Sequence, residues 1–496
     1  MEYIQVPRTI LYQDLKTKLS LSPHSYKSVL LKNINTRTIR EIIAHKPIKG
    51  REVGSSAYIS KSPYYFIRNK ALQSHSFLPI LDNTECAVPI LPKTFVNLSL
   101  NKGDVLISKD ANVGESAFLG SDLPNYMLSG GLLKTRFPDE FSYYVFAFMK
   151  DDFFRGQIKL APRAATITHA KDLWLNAVIP FPTKQNSKEI IQFVSLLSRA
   201  IIRKESEIKK KYYQAMDLIN TELLENQQKQ EFVYSLPRLR DITDTFRLDA
   251  GMFCEDYKKK QFIVKNYVKG SSTIFGLGFH LKRGQNLQVS QIGHSIYTER
   301  HKSNFYRLIR PTNLTDYGTI SKYEYLGNPN ELRTLNKGDI LFSAEGTIGK
   351  FYVFTHINDR TITNIHGIIV FREDNGNEAD AIFLGLFLGY LRKIGILDYL
   401  SVGGQGGSLA EKYWNHIRIP NFRQSIKELS ASLYHNPIDY NATKLNLLEF
   451  DTEDSRVTTE LGIAQLDRQL HQIRALLASV LWKIAQDEEV KITWDF

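Results

Sequence analysis

Cysteine is nearly absent: Cys86 and Cys254 are the only two in 496 residues, and they lie far apart in the chain. A disulfide scaffold is thereby excluded, and a cytoplasmic compartment is expected. Long apolar runs are missing as well. The longest candidate, 381–391, contains two glycines and ends at Arg392, short of the roughly 18 residues needed to span a bilayer. The opening MEYIQVPRTI lacks the charged-then-apolar pattern of a secretory signal. No stretch is biased enough in composition to stay unfolded on that ground.

Catalytic motifs are also lacking. Gly346-Thr347-Ile348-Gly349-Lys350 has the wrong spacing for a phosphate-binding loop. Gly276-Leu277-Gly278 has no third glycine and reads as a turn. None of the twelve histidines sits in HExxH, and His294 and His301 have no cysteine or acidic partner at metal-ligand spacing. Glu207-Ile208-Lys209 has the ExK spacing of some nucleases but falls on a helical rod, where salt bridges on a solvated face explain it. Asn436-Pro437-Ile438-Asp439-Tyr440 is similar to the NPPY motif of amino-methyltransferases, yet its third residue is isoleucine, so it reads as a turn. Nothing supports catalysis within this chain. The formal net charge of +12 suits a nucleic-acid partner, but it also suits plain solubility and decides little.

What the chain does contain is a duplication. NLSLNKGDVLISKDANVG at 97–114 recurs as LRTLNKGDILFSAEGTIG at 332–349. Asn101-Lys102-Gly103-Asp104 matches Asn336-Lys337-Gly338-Asp339, Ser108 matches Ser343, and Gly114 matches Gly349. Upstream, Tyr65-Phe66-Ile67-Arg68 parallels Arg307-Leu308-Ile309-Arg310. Downstream, Lys171-Asp172-Leu173-Trp174 parallels Glu411-Lys412-Tyr413-Trp414. Even the starts agree, Val6-Pro7-Arg8 with Leu236-Pro237-Arg238. A repeat half the chain long is a duplicated domain and not a solenoid, with halves of roughly 1–235 and 236–496.

Each half mixes short apolar runs with turns. Residues 104–108, 131–135, 339–343 and 367–371 read as strands; 141–154 and about 379–400 read as helices. Each repeat is thus a mixed α/β (α+β) unit. Between the units, 187 to about 230 holds neither proline nor glycine. Its apolar residues Val194, Leu197, Ile201, Ile208, Tyr212, Ala215, Ile219 and Leu223 make one helical stripe, with Ser187 as a candidate N-cap. Forty helical residues would make a rod of about 60 Å. A narrow stripe wants one partner helix. Leu466, Leu470, Ile473, Leu477, Val480 and Ile484 supply the same pattern near the C-terminus. Residues 199–211 carry six basic and two acidic side chains, and 451–496 carry nine acidic and five basic; opposite charge beside an apolar seam favours pairing.

The repeated loop holds its frame and changes its polar tips. Lys109, Asp110 and Asn112 in one copy become Ala344, Glu345 and Thr347 in the other. The closing segment APRAATITH at 161–169 becomes SVGGQGGSL at 401–409. Two readers of different base sequences need such a constant frame with exchanged side chains; neutral drift of loops is the alternative.

On these residues the chain resembles the specificity (S) subunit of type I restriction–modification systems over nearly its whole length. The resemblance rests on GDVLISKDANVG and GDILFSAEGTIG, on AATITHAKDLWLNAVIPFP and GGSLAEKYWNHIRIP, on the long helix after each, and on RLDA at 247–250. The chain departs from the family pattern in lacking the glycine-serine opening of the first closing loop, and in having residues 434–458, which interrupt the second helix. The resemblance implies two tandem target recognition domains, at 24–183 and 236–424. It also implies an N-terminal segment at 1–23, a central spacer helix at 184–235, and a C-terminal helical region at 425–496 that pairs with the spacer as an antiparallel coiled coil. Each domain would read one half of a bipartite double-stranded DNA target. The helices would dock two methyltransferase subunits and, through them, restriction subunits. S-adenosylmethionine, ATP and Mg would belong to those partners, with no cofactor in this chain. The DNA-facing residues implied are Arg68, Asn69, Lys109, Asn112, Arg163, Thr166 and His169 in the first domain. In the second they are Arg310, Asn313, Glu345, Thr347, Gln405 and Ser408. The alternatives are the specificity subunit of another phage-defence DNA methyltransferase and a protein-interaction scaffold that does not bind DNA.

Overall fold

A computed structural model describes residues 3–18, 21–160, 172–356, 360–373, 376–403 and 407–496. The chain forms two compact units. One gathers 1–206, 439–459 and 469–496; the other gathers 207–438 and 460–468.

In the first unit a four-stranded antiparallel sheet has the order 48–49, 132–135, 105–108, 116–118. The motif strand Val105–Ser108 lies inside the sheet and is buried throughout, as its unbroken apolar run requires. Beside it lies a three-stranded sheet of 87–89, 65–67 and 126–128, in which Tyr65–Ile67 and Tyr126–Leu128 run parallel. Thr36–Thr38 pairs with Val178–Pro180. The second unit repeats this plan. Its four-stranded sheet runs 280–283, 367–371, 340–343, 351–353; Ser271–Thr273 pairs with Arg418–Pro420; and 324–327, 306–308 and 361–362 again end in a parallel pair. An extra edge strand, Ile296–Thr298, is added there.

The repeated tetrad explains why the motif strand begins where it does. Gly103 and Gly338 sit at φ of 91° and 88°, a region side chains avoid. Asp104 Oδ2 accepts from the Asn101 amide at 2.9 Å, and Asp339 Oδ2 from the Asn336 amide at 3.0 Å. Each aspartate therefore closes its own turn.

Two expected helices are each divided. In place of one helix over 141–154 there are Ser142–Lys150 and Asp152–Leu160. Between them Asp151 takes an extended backbone, and its carboxylate accepts from the Phe153 amide at 2.9 Å, capping the second helix. In place of one helix over 379–400 there are Glu378–Lys393 and Ile396–Leu400, separated at Gly395 with φ of 77°. The apolar run 381–391 is buried core. Among the described residues no helix is long and apolar enough to cross a membrane.

The long helix runs Ser187–Glu225. Ser187 is its first residue and not its cap; its amide donates to Lys184 O at 3.1 Å. At the other end the Asn226 and Gln227 side-chain amides donate to the carbonyls of Glu222 and Leu223, satisfying groups that a helix end leaves open. In the first unit, residues 187–206 meet two partners. The helix Ile463–Ala485 runs antiparallel to them, with Lys184–Asp487 at 3.4 Å towards one end and Glu205–Arg474 at 2.6 Å at the other. The second partner corrects an expectation. Residues 434–458 do interrupt the second helix, which stops at Tyr434, but Leu447–Glu460 is itself helical and carries the acidic partners. Arg199 and Arg203 reach Asp451 at 2.7 and 2.5 Å, Arg203 reaches Asp454 at 2.6 Å, and Lys204 bonds Asp454. The basic run is also divided. Lys210 and Lys211 pair with Glu207 at 3.3 and 3.9 Å, and Lys209 lies over the Tyr317 ring, all within the second unit. Trp494 seals the first unit by stacking on Phe450 at 3.6 Å and meeting Phe193 edge-on.

Candidate nucleic-acid interface

Both motif strands run into a loop built the same way. The Ser108 amide donates to Glu115 O, and the Gly114 amide to Ser108 O; the Ser343 amide donates to Lys350 O, and the Gly349 amide to Ser343 O, all at 2.8–2.9 Å. Gly114 and Gly349 have φ of 87° and 91°. Both serines are buried and bond inward, Ser108 Oγ to Asp110 O and Ser343 Oγ to Thr347 O, each at 2.6 Å. They hold the loop shape and leave the tips to other residues. Asn112 and Thr347 are exposed there.

Strand register identifies the remaining equivalences. Leu132 pairs with Ser108, and Gly367 with Ser343, so Gly131 corresponds to His366. Lys49 pairs with Leu133, and Arg283 with Ile368, so Lys49 corresponds to Arg283. The following residues, Gly50 and Gly284, match as well. A Cβ on either would lie 2.1 Å from a carbonyl oxygen, Ser129 O or Asn364 O. In the parallel pairs, Tyr65 lies beside Tyr126 and Arg307 beside Thr361, which makes Arg68 the equivalent of Arg310.

At the loop carboxylate the two units differ. In the first, Lys109 bonds the Asp110 carboxylate at 2.7 Å. Asn69 ties the loop from beneath, donating to Asp110 O at 2.9 Å and accepting from Ser129 Oγ at 3.0 Å. In the second, Glu345 bonds Arg283 at 3.0 Å and His366 Nδ1 at 2.5 Å, while Arg283 Nε bonds Glu411 at 3.1 Å. The place that Asn69 fills beside Gly131 in one unit is thus served by His366 in the other. Ser408 forms bridges with Val402 and with Glu345, and the Leu409 amide donates to Ala344 O at 2.8 Å, so the closing segment is stitched to the motif loop.

The other expected residues fall as follows. Arg68 is exposed at the start of the turn 69–71. Arg310 bonds Glu324 at 3.0 Å and lies over the Tyr297 ring. Asn313 is buried at 3% exposure, and its Oδ1 accepts from the Arg310 amide at 2.7 Å. Arg163, Thr166, His169 and Gln405 lie outside the described residues. Arg283, His366 and Glu411 were not singled out as site residues in the sequence, and Asp110 was noted there only as a changed polar tip. The one sequence signal was a glycine after a basic residue, IKGR at 48–51 and KRGQ at 282–285.

Beside the first loop is an open cleft of about 550 Å³, lined by Gln73, Asn112, Glu115, Asp152, Arg155 and Lys159 among others. Behind it the buried Lys150 donates to Gln73 O and Ser116 O at 2.8 and 2.9 Å, and burial pushes its pKa down to about 7. Among the described residues no group of three or more His, Cys, Asp or Glu is placed to hold a metal.

No family model and no curated protein sequence matches the chain. Solved structures do. The S subunit of the type I restriction-modification system from M. genitalium matches over 93% of this chain and 96% of its own, at 13% identity and a TM-score of 0.38. The chain resembles type I S subunits. The HsdS subunit from Thermoanaerobacter tengcongensis matches over 92% and 97%, at 14% identity and a TM-score of 0.27. A chain from work on complex assembly and conformational transition of the type I R-M system matches over 92% and 99%, at 13% identity and a TM-score of 0.28.

Proposed function

We propose that this chain is the non-catalytic DNA-recognition subunit of a type I restriction–modification complex. Each unit reads one half of a bipartite duplex target. The helical segments dock two methyltransferase subunits and, through them, restriction subunits. S-adenosylmethionine, ATP and Mg bind in those partners, where adenine methylation and cleavage take place.

One observation carries this proposal. The same strand, turn and loop occur twice, framed by the same backbone hydrogen bonds at Ser108 and Gly114 as at Ser343 and Gly349, and the polar groups at their tips are exchanged, Asn112 for Thr347 and Lys109–Asp110 for Arg283–Glu345–His366. Phosphate contacts position a protein on DNA and base contacts specify its sequence; a fixed frame with exchanged tips does both for two different half-sites.

Methylome sequencing of a host that expresses the chain with its methyltransferase subunit tests the proposal. A split motif is expected. Replacing residues 24–183 by the first domain of a related protein should change one half of that motif. No motif, or a change in both halves, counts against two independent readers.

A further inference from the structure

The loop carboxylate sits at the equivalent position in both units and in each holds a cation. Asp110 holds Lys109, which is 18% exposed, and Glu345 holds Arg283, which is 31% exposed. The cations come from different places. Lys109 belongs to the loop itself, whereas Arg283 belongs to the edge strand His280–Arg283, where the first unit has Lys49. We propose that Asp110 and Glu345 are positioning residues, that Lys109 and Arg283 are the specificity-determining side chains, and that each reads the guanine of one G·C pair in its half-site; the inference rests on the DNA-reading function proposed above.

The chemistry follows from which donors are taken. Arg283 gives Nη1 to Glu345 and to Ile365 O, and Nε to Glu411. Nη2, with two hydrogens, takes part in none of these bonds. Two carboxylates on different segments therefore fix the plane of the guanidinium and leave one amino group to donate. Ion pairs that water reaches contribute little to stability, so stability alone does not explain two acids on one arginine that is 31% exposed. Fixing an arginine before it binds reduces the side-chain ordering that recognition costs. The Lys109 ammonium has three hydrogens and gives one bond to Asp110. Guanine O6 and N7 are the acceptors that arginine and lysine read in the major groove. Both oxygens of Glu345 are engaged, by Arg283 and by His366. Glu345 is thus occupied as an aligner. His366 closes the carboxylate from the other side, the task Asn69 performs on the backbone of Asp110 in the first unit.

The test uses the full chain in complex with its methyltransferase subunit, with methylome motif and methylation rate as readouts. Arg283→Ala and Arg283→Lys, the second keeping the charge, are compared with Lys109→Ala, Glu345→Gln and Glu345→Asp. Circular dichroism of each complex confirms folding. The wild-type motif should contain a G·C pair in each half. Arg283→Ala should relax one such position in one half by about 10- to 100-fold, and Lys109→Ala should do so in the other half. Glu345→Gln should weaken discrimination at the position that Arg283 reads, with partial rescue in Glu345→Asp; a merely structural residue would not act on one base. A split wild-type motif with no relaxed position in the variants overturns the inference. So does a uniform loss of rate with an unchanged motif, which is the behaviour of a phosphate contact. If the wild-type complex yields no split motif, the DNA-reading function itself fails and the inference falls with it.

Discussion

Single residues carry the duplicated frame, and the glycines at its edge are the most demanding. Gly50 and Gly284 each lie against a backbone carbonyl that an added Cβ would meet at 2.1 Å. A backbone oxygen cannot rotate away as a flexible side chain can. Gly50→Ala and Gly284→Ala should each cost at least about 2 kcal/mol, the range of overpacking in a tight site. Urea unfolding monitored separately for the two units should show each substitution lowering the midpoint of its own unit. Lys150 makes a different demand. Burial holds its pKa near about 7 in the fold, against about 10.4 for an ordinary lysine. Between those two values the folded chain binds fewer protons than the unfolded chain, so stability rises with pH across that window. Below about pH 7 both states are protonated and the burial cost is present in full. Lys150→Met should remove the rise, leaving a flatter stability profile from pH 7 to 9. An identical rise in the variant would show that Lys150 does not cause it.

Among the elements, the helix Leu447–Glu460 has the most weight for its length. Lys204 and Asp454 are both fully buried, and Thr458 takes another hydrogen from the same ammonium at 2.9 Å. Burial lowers the Lys204 pKa while Asp454 opposes that shift. Removing one partner strands the other in a dry site. Asp454→Ala should therefore cost about 3–5 kcal/mol, whereas the double variant Lys204→Met with Asp454→Leu should recover most of that loss. Denaturant titration of the three proteins checks this. A single variant as stable as the parent would mean that water reaches the pair. Glu205 is a second strut in the same unit. It accepts from the amides of Phe77 and Leu78, from Ser76 Oγ and from Arg474, which joins a loop of the first sheet system to both long helices.

At the scale of the whole molecule, the first unit is discontinuous in sequence. Its apolar stripe of Val194, Leu197 and Ile201 is buried in a unit that includes 439–459 and 469–496. A fragment ending at residue 235 lacks Asp451, Asp454, Arg474 and Trp494. It should leave the stripe bare and self-associate, because a large exposed apolar surface is costly in water. Sedimentation showing a stable, soluble monomer at tens of micromolar in high salt would contradict this. For the full complex, log affinity for duplex DNA should fall steeply with log salt between about 50 and 200 mM, as counterions are released from the phosphates. A flat response would rule out a surface that contacts several phosphates.

The sequence by itself determined the duplication, the strand-and-turn motif and the long amphipathic helix. These depend on local rules: the aspartate that closes its own turn, the glycine at positive φ, and the apolar residue at every third or fourth place. All three leave marks within a short window. Tertiary structure alone decided what lies across gaps in sequence. Arg283 meets Glu345 and Glu411 only because one edge strand, one loop and one turn converge, and no spacing along the chain records that. Asp151 divides a helix because its side chain prefers to cap the next one, a choice that the apolar pattern over 141–154 conceals. Leu447–Glu460 escaped notice because its apolar face is short; the buried Lys204 that it neutralises lies some 250 residues away, on another helix.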